Sequence, residues 1–346
     1  MRVVLAEDSL TIRELLVELL RSDPEIVVVG EAKNGAEAVD LAVRLKPDLI
    51  AMDIHMPVMD GLEATKEIMV REPTPIVLVT SSASREDAAL SFDAMRAGAL
   101  AVLPKPDNPA SPRFDGRKEE LIRMIKAMAE VKVVRRWAER PRARPLAPPP
   151  RADLGGRRRI VAIAASTGGP AALQQILAAL PAGFGAPVLV VQHIASGFVA
   201  ALADWLNASS ALHVKVAEDG EPLAARTVYL APEDRHLGVT LDGRAALSDA
   251  PPVGGHRPSA NHLFSSVSRS FGRAAAAVIL TGMGRDGVDG VREVKSSGGY
   301  VIAQDEATSV VYGMPHEAAS TGITDAVLSL DEIATRLATL VDGGAS

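Results

Sequence analysis

The sequence predicts an α/β protein built as two doubly wound, mostly parallel-sheet domains in succession. Three observations carry this. Short apolar runs alternate with amphipathic stretches from residue 1 to about 128, the same rhythm resumes near residue 159, and a Pro/Arg-rich segment separates the two stretches. Alternating strands and helices argue for parallel sheets with helices on both faces. The length of 346 residues accommodates two domains of ordinary size.

In the first half, RVVLA (2–6), IVVVG (26–30), DLIAMD (48–53), PIVLVT (75–80) and ALAVLP (99–104) read as buried strands. Between them, SLTIRELLVELLRS, NGAEAVDLAVRLK and GLEATKEIMVRE place apolar residues at i, i+3, i+4 and i+7, the spacing of one helix face. A final helix from about Arg117 to Met128 continues toward residues 131–137. The stretch that follows carries Pro141, Pro145, Pro148, Pro149 and Pro150, with Gly155 and Gly156 close behind. Such sequence cannot bury enough apolar surface to fold alone and is expected to be an extended linker. The expected division is therefore a first domain over 1–125, a helical extension and flexible basic linker over 126–158, and a second domain over 159–346. In that second domain the strand candidates are 160–166, 186–193, 227–232, 276–282 and 299–305. Helices are expected to begin near Pro170, Phe198, Ser259, Gly287 and Pro315.

Composition narrows the function. The chain has no cysteine, which removes disulfides, thiol nucleophiles and Cys-based zinc sites. The net charge is −6, yet residues 113–159 hold 15 Lys/Arg against 6 Asp/Glu. A basic middle between acidic flanks suits a tether, whereas a nucleic-acid reader shows a basic domain with a reading motif. No nucleic-acid partner is expected. The first residues, MRVVLAEDS, carry acids by Glu7 and Asp8 and do not read as a signal peptide. No apolar run approaches the ~18 residues of a membrane span. A cytoplasmic monomer without membrane insertion is expected.

Ligands of open α/β sheets bind at the carboxyl ends of the strands. In the first domain those ends carry Glu7 and Asp8, then Asp53, Thr80 and Lys105. Singly, such acids often cap helices. Together, three carboxylates repel one another unless a cation joins them, and an all-oxygen set suits Mg²⁺ with a phosphate. Lys105 adds a point charge and Thr80 a hydroxyl. With DIHMPVMDG over 53–61, these residues resemble a flavodoxin-like response-regulator receiver domain. The resemblance implies that Asp53 accepts a phosphoryl group from a sensor histidine kinase, with Mg²⁺ held by Glu7, Asp8 and Asp53. Val102 stands where many receivers carry an aromatic switch residue, so output is expected to run through Thr80 and its loop.

In the second domain Ser166 ends a strand and precedes Thr167-Gly168-Gly169-Pro170, a strand-to-helix turn that exposes a serine near backbone N–H groups. A nucleophile needs a base, and among seven histidines His193 ends an apolar strand, VLVVQH. Asp286 follows a third strand and completes a nucleophile, base and orienter set. Two alternatives stand beside this one. Ser166 could merely cap a helix in a non-enzymatic output domain. The run Gly282-Met283-Gly284-Arg285-Asp286-Gly287 also matches the dinucleotide fingerprint, although Asp286 would then meet a pyrophosphate.

The segments AIAASTGGP, VVQHI, HRPSANHLFSSV (256–267), ILTGMGRDGVDG (279–290) and AQDEATSVVYGMP (303–315) resemble the Rossmann-like, three-layer catalytic domain of chemotaxis protein-glutamate methylesterases. The resemblance implies Ser166, His193 and Asp286 as a catalytic triad, Thr167 beside the nucleophile and Met283 at the oxyanion hole. It further implies chemoreceptor cytoplasmic helices as substrate, glutamine deamidation as a second activity, and no cofactor for hydrolysis. Ala164 departs from the glycine usual in that family, and leaves every reacting group present.

Overall fold

The computed structural model describes residues 1–80, 85–106, 108–111, 114–131, 133 and 159–343. The chain divides into two compact units, Met1–Pro149 and Pro150–Ser346. Most of the expected linker, and the end of the helix expected toward residue 137, lie outside the described residues.

The first unit strings together β1 (Arg2–Ala6), α1 (Leu10–Arg21), β2 (Val27–Ala32), α2 (Gly35–Leu45), β3 (Leu49–Met52), α3 (Gly61–Arg71), β4 (Ile76–Thr80), α4 (Arg85–Ala97), β5 (Ala101–Pro104) and α5 (Phe114–Ala129). Each expected strand forms. The five strands make one sheet in the order β2-β1-β3-β4-β5, every pair parallel. Strands β3 and β4 are wholly buried, which is why they read as unbroken apolar runs. Asn34 and Asp60 begin α2 and α3 as N-caps, accepting from the N–H of Glu37 and Glu63. The strand order reverses between β1 and β3, and a crevice opens there at their carboxyl ends.

The second unit runs β6 (Ile160–Ala165), α6 (Gly169–Ala179), β7 (Val188–Gln192), α7 (Val199–Ser209), β8 (His213–Val216), β9 (Thr227–Leu230), β10 (His236–Val239), β11 (Ala245–Ser248), α8 (Ala260–Phe271), β12 (Ala275–Ile279), α9 (Val288–Ser296), β13 (Tyr300–Gln304), α10 (Met314–Ser320), β14 (Ala326–Leu328) and α11 (Leu330–Asp342). Seven strands form a sheet in the order β14-β13-β12-β6-β7-β9-β8, again wholly parallel, and β10 and β11 pair as a separate antiparallel hairpin. The hairpin and strands β8 and β14 were absent from the sequence expectation. They are only three or four residues long, β8, β10 and β11 include polar residues, and β14 is just Ala-Val-Leu, so no long apolar run marks them.

The central strands β6, β7, β12 and β13 are buried along their whole length. Helices α8 and α9 pack on one another and on this sheet, with Leu263, Phe264, Val267, Val291 and Val294 in one apolar core with Ala162, Ala164 and Ala277. Ala164 thus places its methyl group in that core, opposite Ile279 on one side and Val191 on the other. The reversal of strand order falls at β6, whose neighbours are β7 and β12. Among the described residues, no helix is long and apolar enough to cross a membrane.

Candidate active site and phosphorylation site

Ser166 and His193 directly follow β6 and β7, and Asp286 lies in the loop that follows the adjacent strand β12. The backbone N–H of Ser166 donates to the Thr281 carbonyl at 3.0 Å, and its own carbonyl accepts from Gly169 N at 2.8 Å. Gly168, at φ +77°, turns the chain from strand into α6, a conformation that suits glycine. Gly282 has no room for a side chain, because a Cβ there would lie 2.6 Å from the Ser166 Cβ. The loop after β12 therefore passes directly against the serine. Thr167 is buried, and its carbonyl accepts from the Thr281 hydroxyl at 2.8 Å. Met283 is half-buried in the same loop, next to Gly282.

The His193 backbone N–H continues the sheet by donating to Ala165 O at 2.9 Å. Its ring nitrogen Nε2 lies 2.9 Å from Asp286 Oδ2, and Nδ1 is buried without a hydrogen-bond partner. Asp286 is held at the N-terminus of α8. Its Oδ1 accepts from Ser259 Oγ at 2.8 Å and Asn261 N at 3.1 Å, and its Oδ2 also accepts from Ala260 N at 2.7 Å. Burial is the strongest influence on Asp286 and opposes its charge. The hydrogen bonds from His193, Ala260 and Ser259 together outweigh it and hold the carboxyl below the ordinary aspartate value. An ionised Asp286 can only accept, so the proton on His193 belongs on Nε2 and the lone pair on Nδ1.

The glycine run that resembles a dinucleotide fingerprint has another cause. A Cβ on Gly287 would come within 3.0 Å of Phe264, and one on Gly290 within 2.7 Å of the same side chain. These glycines let α9 approach α8. The carboxylate of Asp286 lies in the loop itself and is committed to four donors, where its charge would repel a pyrophosphate.

Sequence reasoning overlooked four neighbours. His256 stacks on His193 with ring centroids 4.3 Å apart and planes 10° from parallel. Ser259 caps the carboxylate, Thr281 ties the serine loop to Val311, and Gln192 bridges Ser166 and His193. His256, Ser259 and Thr281 stand in the recognised segments 256–267 and 279–290, which gave no sign of their roles, and Gln192 is marked only as a polar residue closing an apolar strand beside a candidate base.

In the first unit Asp53 sits just past β3, its backbone N–H on Ala6 O at 2.9 Å and its Oδ1 accepting from Ile54 N at 2.7 Å. The Lys105 ammonium lies 2.7 Å from both Asp53 Oδ2 and Glu7 Oε2. Glu7 and Asp53 are buried, whereas Asp8 is exposed at the mouth. The three carboxylates offer oxygens within 4.8 Å of one another. Burial chiefly, with the Asp53 charge added, raises the Glu7 carboxyl above the ordinary glutamate value against the pull of Lys105. For Lys105, burial works most strongly against the charge, but the bonds to Asp53 and Glu7 outweigh it and hold the ammonium above the ordinary lysine value. The Thr80 hydroxyl is buried and, among the described residues, has no hydrogen-bond partner. Crowded carboxylates and an orphaned hydroxyl fit a hard cation and a phosphoryl group. Val102 is half-buried on β5 opposite Leu78, and residues 81–84, the loop expected to relay output from Thr80, lie outside the described residues.

The CheB methylesterase family model matches residues 161–337, and the response regulator receiver domain model matches residues 3–111. A protein-glutamate methylesterase/protein-glutamine glutaminase of Myxococcus xanthus is 55% identical over 345 residues, 99% of this chain and 98% of its own length. One from Anaeromyxobacter dehalogenans is 52% identical over 97% of this chain and 98% of its length. The solved catalytic domain of the Thermotoga maritima CheB methylesterase superposes with a TM-score of 0.52 at 42% identity, covering 53% of this chain and 99% of that one. Two wholly parallel sheets, a serine, histidine and aspartate gathered on one sheet edge, and this likeness over nearly the full length lead to one conclusion: the chain belongs to the CheB methylesterase family, with a response-regulator receiver domain in its N-terminal unit.

Proposed function

We propose that Ser166, His193 and Asp286 hydrolyse glutamate methyl esters on chemoreceptor helices, and that phosphorylation of Asp53 controls this activity. The observation that carries the reading is the Nε2 bond from His193 to a fully hydrogen-bonded Asp286, which leaves Nδ1 as the ring nitrogen that can act as base. His193 Nδ1 takes the Ser166 Oγ proton as Oγ bonds to the γ-carbonyl carbon of the ester. The carbonyl electrons move onto oxygen, and the resulting oxyanion is stabilised by backbone N–H groups of the serine turn and of Met283. One such donor contributes about 10²–10³ in rate. His193 returns the proton to the methoxy oxygen, the C–O bond breaks, and methanol leaves an acyl-Ser166. Water then attacks with His193 again as base, freeing glutamate and the serine. With a glutamine side chain the leaving group is ammonia, and the same groups perform deamidation. Asp286 keeps the proton on Nε2 and stabilises the imidazolium.

In the receiver, Asp53 Oδ accepts the phosphoryl group from a phosphohistidine of a sensor kinase. Glu7, Asp8 and Asp53 would hold Mg²⁺, which supplies charge neutralisation for the phosphoryl oxygens when bound. Lys105 offers its ammonium to one of those oxygens, and the orphaned Thr80 hydroxyl donates to another. The test is methanol release from methylated receptor membranes with and without a small-molecule phosphodonor. The full chain should release methanol faster with the donor, and Asp53→Ala should show no response. An equal response from Asp53→Ala would remove Asp53 from the regulatory role.

A further inference from the structure

We propose that Gln192 is a positioning residue that locks the nucleophile and the base of this esterase into one unit. The proposal rests on the reading of Ser166 and His193 given above. Gln192 is the last residue of β7 and is buried. Its Nε2 donates to the carbonyl oxygen of Ser166 and to that of His193, each at 2.8 Å. A primary amide nitrogen carries two protons, so both are committed to the backbones of the two reacting residues.

The partners also fix which way the amide faces. Rotated by half a turn, Oε1 would point at two carbonyl oxygens. In the observed orientation Oε1 is buried without a hydrogen-bond partner and lies against Gly169, where a Cβ would come within 2.0 Å of it. An acceptor left unsatisfied in the interior is destabilising. Such exceptions concentrate where function dictates the geometry.

The need for this clamp follows from the strand ladder. Regular pairing of β6 with β7 ends at Ala165 opposite Gln192, with His193 N on Ala165 O as its last bond. Ser166 then leaves the strand, giving its N–H to Thr281 on the other side. Beyond that point no sheet bond holds the serine opposite the histidine. The Gln192 amide supplies the missing rung, spanning the turn of the nucleophile and the backbone of the base. Its donors reach only backbone carbonyls, so it acts through the two residues it joins.

The test uses the full chain, methylated receptor membranes and methanol release, normalised to sites labelled to completion by a serine-directed fluorophosphonate. Gln192→Met keeps the length of the side chain and removes both donors. Its kcat per labelled site should fall at least about tenfold with KM within about twofold, because loss of alignment acts on the transition state. Gln192→Glu keeps the shape but donates only when protonated. Its rate per site should recover toward wild type as pH falls and gain a decline at higher pH that the wild type lacks. Wild-type kcat per site and an unchanged pH profile in both variants would mean that Gln192 only fills space, and would overturn the proposal. If Gln192→Met loses its cooperative melting transition, the pH profile of Gln192→Glu decides. Ser166→Ala runs alongside: turnover there sinks the serine reading itself, whereas an inactive Ser166→Ala beside a fully active Gln192→Met sinks only the positioning role.

Discussion

Replacing Asp286 by asparagine changes one atom and separates two roles of the carboxylate, its charge and its control of the histidine tautomer. Asp286 accepts from four donors, two on each oxygen. An asparagine amide can enter in two ways. With its oxygen at the Oδ2 position it still accepts from His193 Nε2 and Ala260 N, and its NH₂ donates to the Ser259 hydroxyl, leaving a conflict only at Asn261 N, the longest bond of the set at 3.1 Å. With its nitrogen there it opposes Ala260 N, the shortest bond at 2.7 Å. The first orientation wins, so Nε2 keeps its proton and Nδ1 stays available as base. What is lost is the charge. A hydrogen bond to an ionised group contributes about 1.5–3 kcal/mol against about 0.5–1.5 for a neutral one. A difference of about 1–2 kcal/mol corresponds to a fall in kcat of about 5- to 30-fold. The donor stranded at Asn261 lowers stability by about 1–3 kcal/mol. Methanol release as a function of pH, together with thermal melting, measures both. A loss near 10⁴-fold, the size associated with an inverted tautomer in a serine hydrolase, would refute the orientation argument.

Two further outcomes follow from the same geometry. Because the folded carboxyl of Asp286 titrates below its unfolded value, it adds stability that is fully present above the ordinary aspartate pKa of about 3.9 and is lost as pH falls through the folded value. The stability gap between wild type and Asp286→Asn should therefore close on acidification below about pH 3.9, as read by denaturant melts; a gap that widens would contradict the sign. Thr80→Val removes a buried hydroxyl that has no partner among the described residues, so the receiver should become more stable, by up to about 1–2 kcal/mol. The same variant should respond less to a phosphodonor, and an unaltered response would detach Thr80 from the phosphoryl site.

The legible part of this protein lies at its strand ends. Buried parallel strands are written as unbroken apolar runs, so the residue that stops each run is conspicuous. Glu7, Asp53, Thr80, Ser166 and His193 all stood out in this way, and the sheet order then gathered them. Asp286 was reachable because its loop follows a third such run. The stretch 256–261 was recognisable as a motif, but its purpose was not. Ser259, Ala260 and Asn261 cradle Asp286 from 25–27 residues away, through a helix N-terminus that only the packing of α8 against α9 brings there. The histidine tautomer was likewise hidden, because it depends on which ring nitrogen meets Asp286. Strands β8, β10, β11 and β14 escaped for a simpler reason: their burial is partial or comes from the neighbouring helix and hairpin.

The central claim is that Ser166 carries the acyl group, and methanol release by Ser166→Ala tests it most directly. The variant should remain folded, should still take a phosphoryl group at Asp53 in the separate receiver unit, and should release methanol at less than about one-thousandth of the wild-type rate. Release above about one-tenth of the wild-type rate, with the receiver still phosphorylated, would contradict the assignment of the nucleophile.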